Sequence, residues 1–146
     1  MARHYLSTQM QGLQRIIFLV DDDEDDREIF QHALETLNCT AQLVCAFNGI
    51  NALEQIAHPD FMLPDLIILD LNMPRMTGRQ LLAQLRQRAE YRHIPVIIYT
   101  TSSSPADYRE LMEMGATAFM TKHTSMARMC ADLGQLLGQY QIAVNF

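Results

Sequence analysis

No stretch of the chain approaches the ~18 consecutive apolar residues needed to cross a bilayer. The segment Met1 to Gln14 has neither an apolar core nor a cleavage pattern. Neither a membrane span nor a secretory leader is expected, and residues 1–14, with their Ser, Thr and Gln, read as a loose extension. Cysteine is scarce. Cys39, Cys45 and Cys130 are odd in number and lack metal-ligand spacing, so they are expected to be buried thiols of a reducing cytoplasm. Basic residues are outnumbered, 11 against 17 acids. Contact with nucleic acid through its phosphates needs a basic face, and this composition does not supply one. The sequence also has no internal repeat, no low-complexity tract and no linker.

What is present is a single-domain composition: 146 residues, 49% of them hydrophobic and 19% charged, enough to bury a sizeable core. The acid surplus is local. Residues 21–26 read Asp-Asp-Asp-Glu-Asp-Asp, and setting those six aside leaves 11 acids against 11 basic residues. The whole net charge of −6 therefore sits in one short segment, which points to a bound cation near residue 22.

Strand and helix signals alternate along the chain. Ile16 to Val20, Leu66 to Leu69 and Val96 to Tyr99 are short, wholly apolar runs, with weaker versions at Leu43 to Ala46 and Ala118 to Met120. Continuous rather than alternating apolar runs predict strands buried on both faces of a parallel sheet. Helical stripes lie between them. The last is the clearest, with Met126, Met129, Cys130, Leu133, Leu136, Leu137 and Tyr140 on one face. Asn48-Gly49, Pro64-Asp65, Pro74 with Gly78, Pro95 and Gly115 punctuate these elements. Five strand–helix units predict a doubly wound α/β sandwich with right-handed crossovers. In such folds ligands bind at the carboxyl ends of the strands.

Polar residues gather at that edge. Asp21 and Asp22 follow the first strand, Asp70 the third, Thr100 the fourth and Lys122 the fifth. Three carboxylates held together raise one another's pKa unless a cation sits among them. Mg²⁺, which takes a few carboxylates and keeps several waters, suits such a site. An Asp beside Mg²⁺ and a lysine can attack a phosphoryl group and form an aspartyl phosphate.

Val20-Asp21-Asp22, Leu69-Asp70-Leu71-Asn72-Met73-Pro74 with Gly78, Pro95 to Thr100, and Gly115-Ala116 through Lys122 together resemble the receiver domain of bacterial two-component response regulators. The likeness covers residues 15–139, leaving 140–146 as a tail. It implies a flavodoxin-like (βα)5 fold with a five-stranded sheet in the order 2-1-3-4-5. It implies that Asp70 is the phosphoacceptor, and that Asp21, Asp22, Asp70 and the backbone carbonyl of Asn72 hold Mg²⁺, with Asp22 a direct ligand. Thr100 and Lys122 match the residues that grip the phosphoryl oxygens. Phe119 holds the aromatic position whose rotamer is coupled to that threonine, so Thr100 and Phe119 form the switch. The Asp-rich start and the Tyr-Thr-Thr-Ser stretch most resemble small single-domain regulators paired with hybrid or phytochrome-type kinases.

The implied function is a stand-alone cytoplasmic phosphoprotein. It takes its phosphoryl group from a histidine kinase or phosphotransfer protein and is not an enzyme beyond its own phosphorylation and slow dephosphorylation. It signals through the fourth helix, fifth strand and last helix, roughly Ala106 to Gly115 and Phe119 to Gly138. That face would meet a downstream protein target or form a homodimer, with no nucleic acid and no membrane as partner. No output domain is expected after residue 139, and the expected mode of action is therefore through protein contacts.

One departure from the family pattern is His123, where the family has a proline after the lysine, typically joined by a cis bond. A cis bond costs ~2.5–4 kcal/mol before a residue other than proline, so a trans Lys122–His123 bond is expected, with His123 facing solvent. Asp23 to Asp26 are expected to be no more than a helix cap and first turn. A calcium loop starting at Asp21 would need Gly and Glu where Asp26 and His32 stand. His32, His58 and His93 have no spacing for metal or triad chemistry, and Ser102 to Ser104 read as a loop and helix cap. Two other functions compete. A dehalogenase-like phosphatase needs a second Asp two residues after its nucleophile, where this chain has Asn72. A pseudo-receiver, a phosphorylation-independent interaction module, is opposed by the retention of Asp21, Asp22, Asp70, Thr100 and Lys122.

Overall fold

A computed structural model describes residues 14–101 and 104–144. Most of the N-terminal extension, Ser102 and Ser103 lie outside the described residues. Among the described residues five strands, β1 (Ile16–Val20), β2 (Gln42–Ala46), β3 (Leu66–Asp70), β4 (Val96–Thr100) and β5 (Ala118–Thr121), alternate with five helices. The helices are α1 (Glu24–Thr36), α2 (Gly49–Ala57), α3 (Gly78–Gln87), α4 (Pro105–Glu113) and α5 (Met126–Gln139). A short 3-10 turn, Ala89–Tyr91, precedes β4. The strands are all parallel, in the order β2-β1-β3-β4-β5, the order implied by the resemblance. Among the described residues no helix is long and apolar enough to cross a membrane.

The strand signals come out as read, and their strength follows position in the sheet. Every residue of β1, β3 and β4 is buried, because each has a neighbour on both sides and helices on both faces. The weaker signals belong to β2 and β5, the two edge strands, which are only partly buried. Side chains alternate between the two layers. Ile17, Leu19, Ile68, Ile97 and Tyr99 pack with α1 and α5. Phe18, Val20, Ile67, Leu69 and Ile98 pack with α2, α3 and α4. The apolar stripe on α5 is spent on the first layer, where Met129, Leu133 and Leu137 are buried. Ile142, in the segment read as a tail, is buried there too, and its N–H donates to Leu137 O at 2.9 Å.

The thiols depart from expectation. Cys39, Cys45 and Cys130 are free but only half-buried, since each flanks the first core layer rather than filling it. Two glycines are required by geometry. Gly115 has φ +102°, a left-handed conformation that side chains resist, and it ends α4. A Cβ at Gly78 would lie 2.5 Å from Asp70 O, so glycine is what lets the start of α3 close onto the end of β3. Its N–H donates to Leu71 O at 3.1 Å.

Candidate metal and phosphoryl site

Strand register builds the site. Val20 pairs with Leu69, Asp70 with Tyr99 and Thr100 with Thr121, so Asp70 and Thr100, which end β3 and β4, share one edge with Asp21 and Lys122, which follow β1 and β5. Asp21 is fully buried. Its N–H continues the ladder to Ala46 O at 3.1 Å, and its Oδ1 accepts from the Asp23 N–H at 3.0 Å. Asp70 is 4% exposed and its Oδ1 accepts from the Asn72 N–H at 3.4 Å. Asp22 is exposed at the rim. Oxygens of Asp21, Asp22 and Asp70 all lie within 4.8 Å of one another, a hard-oxygen set with one solvent-facing member.

Lys122 closes the cluster. Its Nζ lies 2.9 Å from Asp21 Oδ2, 2.8 Å from Asp26 Oδ2 and 3.4 Å from Asp70 Oδ1. The Asp21 contact is an ion pair whose direction falls outside hydrogen-bond geometry, so the buried Oδ2 has charge compensation without an aligned donor. A buried carboxylate oxygen in that condition is where a cation fits. The ammonium also sits 5.1 Å from the centre of the Tyr99 ring, and the Tyr99 hydroxyl donates to Met129 Sδ at 3.5 Å.

Burial, then the neighbouring Asp21 charge, push the Asp70 carboxyl up to about 7, against the pull of Lys122. Burial likewise raises Asp21, opposed first by the Lys122 ammonium beside it. Burial disfavours the Lys122 ammonium, but the acids around it outweigh that and lift its pKa. The Tyr99 hydroxyl, raised by burial to about 12, stays neutral. The site thus carries excess negative charge that one lysine does not neutralise.

Asp21, Asp22, Asp70, Thr100 and Lys122 are placed at this edge. Thr100 is buried beside a cavity of about 140 Å³ whose walls include Leu71, Tyr108, Phe119 and Thr121. Phe119 packs on Tyr108 with ring centres 4.7 Å apart. Ser104 caps α4, its side chain accepting from the Asp107 N–H. The Lys122–His123 bond is trans and the lysine still reaches the acids, as expected.

Two readings need correction. His123 does not face solvent; its Nε2 lies 2.6 Å from Asp132 Oδ2 on α5, because the trans path lays the ring against that helix. Asp26 is more than a first-turn acid. Asp23 caps α1 as expected, accepting from the N–H groups of Asp25 and Asp26, yet the Asp26 carboxylate reaches Lys122.

A family model for the response regulator receiver domain matches residues 17–133. Response regulator Rcp1 of Synechocystis sp. is 30% identical over 116 residues, spanning 77% of this chain and 79% of that protein. The sensor histidine kinase CheAY of Helicobacter pylori is 32% identical over 107 residues, 73% of this chain but only 13% of the kinase. Among solved structures, the Mn(2+)-bound form of Rcp1 superposes with a TM-score of 0.74 at 25% identity, covering 90% of this chain and 99% of that one. Sequence, topology and site agree, and the chain belongs to the response regulator receiver domain family.

Proposed function

We propose that this receiver accepts a phosphoryl group on Asp70 with Mg²⁺ bound at Asp21, Asp22, Asp70 and the Asn72 carbonyl. The observation that carries this is the convergence of those three carboxylates with Lys122 at the carboxyl ends of separate strands. A carboxylate oxygen of Asp70 attacks phosphorus. The bond from phosphorus to the donor's leaving atom breaks, and its electron pair leaves with the donor, the imidazole of a phosphohistidine or the acetate of acetyl phosphate. When bound, the divalent ion supplies positive charge that offsets repulsion between phosphoryl oxygens and carboxylates. Lys122 holds one phosphoryl oxygen and the Thr100 hydroxyl donates to another.

The chain is not an enzyme in this reading beyond its own phosphorylation and slow hydrolysis, since Asn72 offers no acid or base for turnover. The structural match to 99% of the Rcp1 chain supports a stand-alone regulator, and the likeness to part of a sensor histidine kinase supports a phosphohistidine donor. We place it in the cytoplasm, where such donors act. Its output would pass through α4, β5 and α5. Phosphate draws Thr100 inward and Phe119 moves toward the cavity beside it, a population shift that rests on different phosphate contacts in two packings. A downstream protein or a second copy would read that face.

Acetyl phosphate with and without Mg²⁺ tests the reading. The native chain should gain an acid-stable, hydroxylamine-sensitive phosphoryl group only with the metal, and Asp70→Asn should gain none. Native-level uptake by Asp70→Asn would remove the assignment. No uptake by either would favour the phosphorylation-independent module.

A further inference from the structure

Lys122 has three carboxylate partners, and they are not equivalent. Two of them, Asp21 and Asp70, belong to the trio whose oxygens converge within 4.8 Å. The third, Asp26, lies outside that trio yet makes the shortest contact, 2.8 Å, in a hydrogen bond from the ammonium. Asp26 is also the more open partner, with its side chain 29% exposed against 0% for Asp21. It is fixed by the first turn of α1, where its N–H is held by the Asp23 cap.

A divalent ion at the trio draws on Asp21 and Asp70, two of the carboxylates that the ammonium now faces. Two cations cannot share one pair of carboxylates at close range without strong repulsion. One of them must have a counter-ion of its own. We propose that Asp26 is a positioning residue that lets the site hold two cations at once: it keeps the Lys122 ammonium on its own carboxylate when a divalent ion takes Asp21 and Asp70. Without that carboxylate, the lysine falls back on the trio and competes with the metal. With it, the ammonium stays beside Asp70, ready for a phosphoryl oxygen. The inference rests on the metal-binding reading given above and adds a residue that does not itself touch the metal.

Mg²⁺ binding by calorimetry, without any phosphoryl donor, tests it. Asp26→Asn should weaken Mg²⁺ about tenfold, and Asp26→Glu, which can still reach the ammonium, should restore affinity to within about threefold of native. In a Lys122→Met background there is no ammonium to hold back, so Asp26→Asn should change affinity by less than about twofold. Asp26→Ser is read in parallel, so the result does not hang on one variant's folding. A loss of equal size with and without Lys122 would show that Asp26 acts only as a nearby charge and would overturn the proposal. Unchanged affinity in the single variants would overturn it as well. Native protein that binds no Mg²⁺ at all would instead remove the metal reading, and this inference with it.

Discussion

The two ends of the sheet bury charge in opposite ways. At the carboxyl end, Asp21, Asp70 and Lys122 compensate mainly one another, and the Asp70 carboxyl is raised to about 7. At the amino end, the Arg86 guanidinium on α3 donates to the carbonyls of Gly115, Tyr91, Arg92 and Ile94 at 2.7–3.3 Å. Burial lowers the Arg86 pKa, but the backbone carbonyls that accept from Nε and Nη1 favour the charged form. One end holds acids whose charge a single lysine only partly offsets; the other holds one cation met by backbone carbonyls. The first arrangement suits chemistry and the second suits stability.

Removing the guanidinium should have the largest effect on folding. Arg86→Ala strands several carbonyls and should cost about 3 kcal/mol in denaturant unfolding, with Mg²⁺ affinity unchanged. A loss under ~0.5 kcal/mol would show that water replaces the arginine and would blur the contrast between the ends.

At the other end, neutralising a charge should stabilise. The folded Asp70 carboxyl titrates above its ordinary 3.8, at about 7. The native fold therefore favours the protonated form, and this contribution is complete below about pH 4 and lost as pH rises through about 7. Metal-free Asp70→Asn should match the native protein near pH 4 and exceed it by on the order of 2–3 kcal/mol at pH 8. Parallel stability curves for the two proteins would contradict the strain assigned to this end.

Metal binding sharpens the same comparison. Asp22→Ala removes the exposed member of the trio, so Mg²⁺ affinity should fall more than ~10-fold while stability changes by less than ~0.5 kcal/mol. Equal affinity in calorimetry would leave Asp22 outside the site. The smallest effect belongs to His123→Ala, which breaks the partly exposed contact with Asp132. It should cost ~0.5–1 kcal/mol by thermal unfolding, and a cost near zero would mean that the pair contributes nothing to the loop.

Much of this was legible in the sequence because the strands of the middle of the sheet are apolar on both faces. Ile16–Val20, Leu66–Leu69 and Val96–Tyr99 announce themselves, and the polar residue that ends each run marks the site. Register then does the rest, since parallel pairing lines up the strand ends without further information. The contacts that were missed involve side chains on helices and loops. Asp26 meets Lys122 across 96 residues of sequence, and nothing local distinguishes it from Asp25, which caps no lysine. His123 meets Asp132 from nine residues away, across the start of α5. Arg86 has no sequence mark at all: its partners are carbonyls, which every residue carries.

The His123–Asp132 contact has a mechanical consequence. His123 adjoins Lys122, and Asp132 lies in the second turn of α5. The ammonium at the phosphoryl edge and the last helix are thus joined by a crossbar one residue wide. A shift of α5 of even about an ångström would tug the lysine's backbone, and a displacement of the lysine would tug the helix in return. A partner docked along α5 would press on the helix that His123 ties to the lysine beside Asp70.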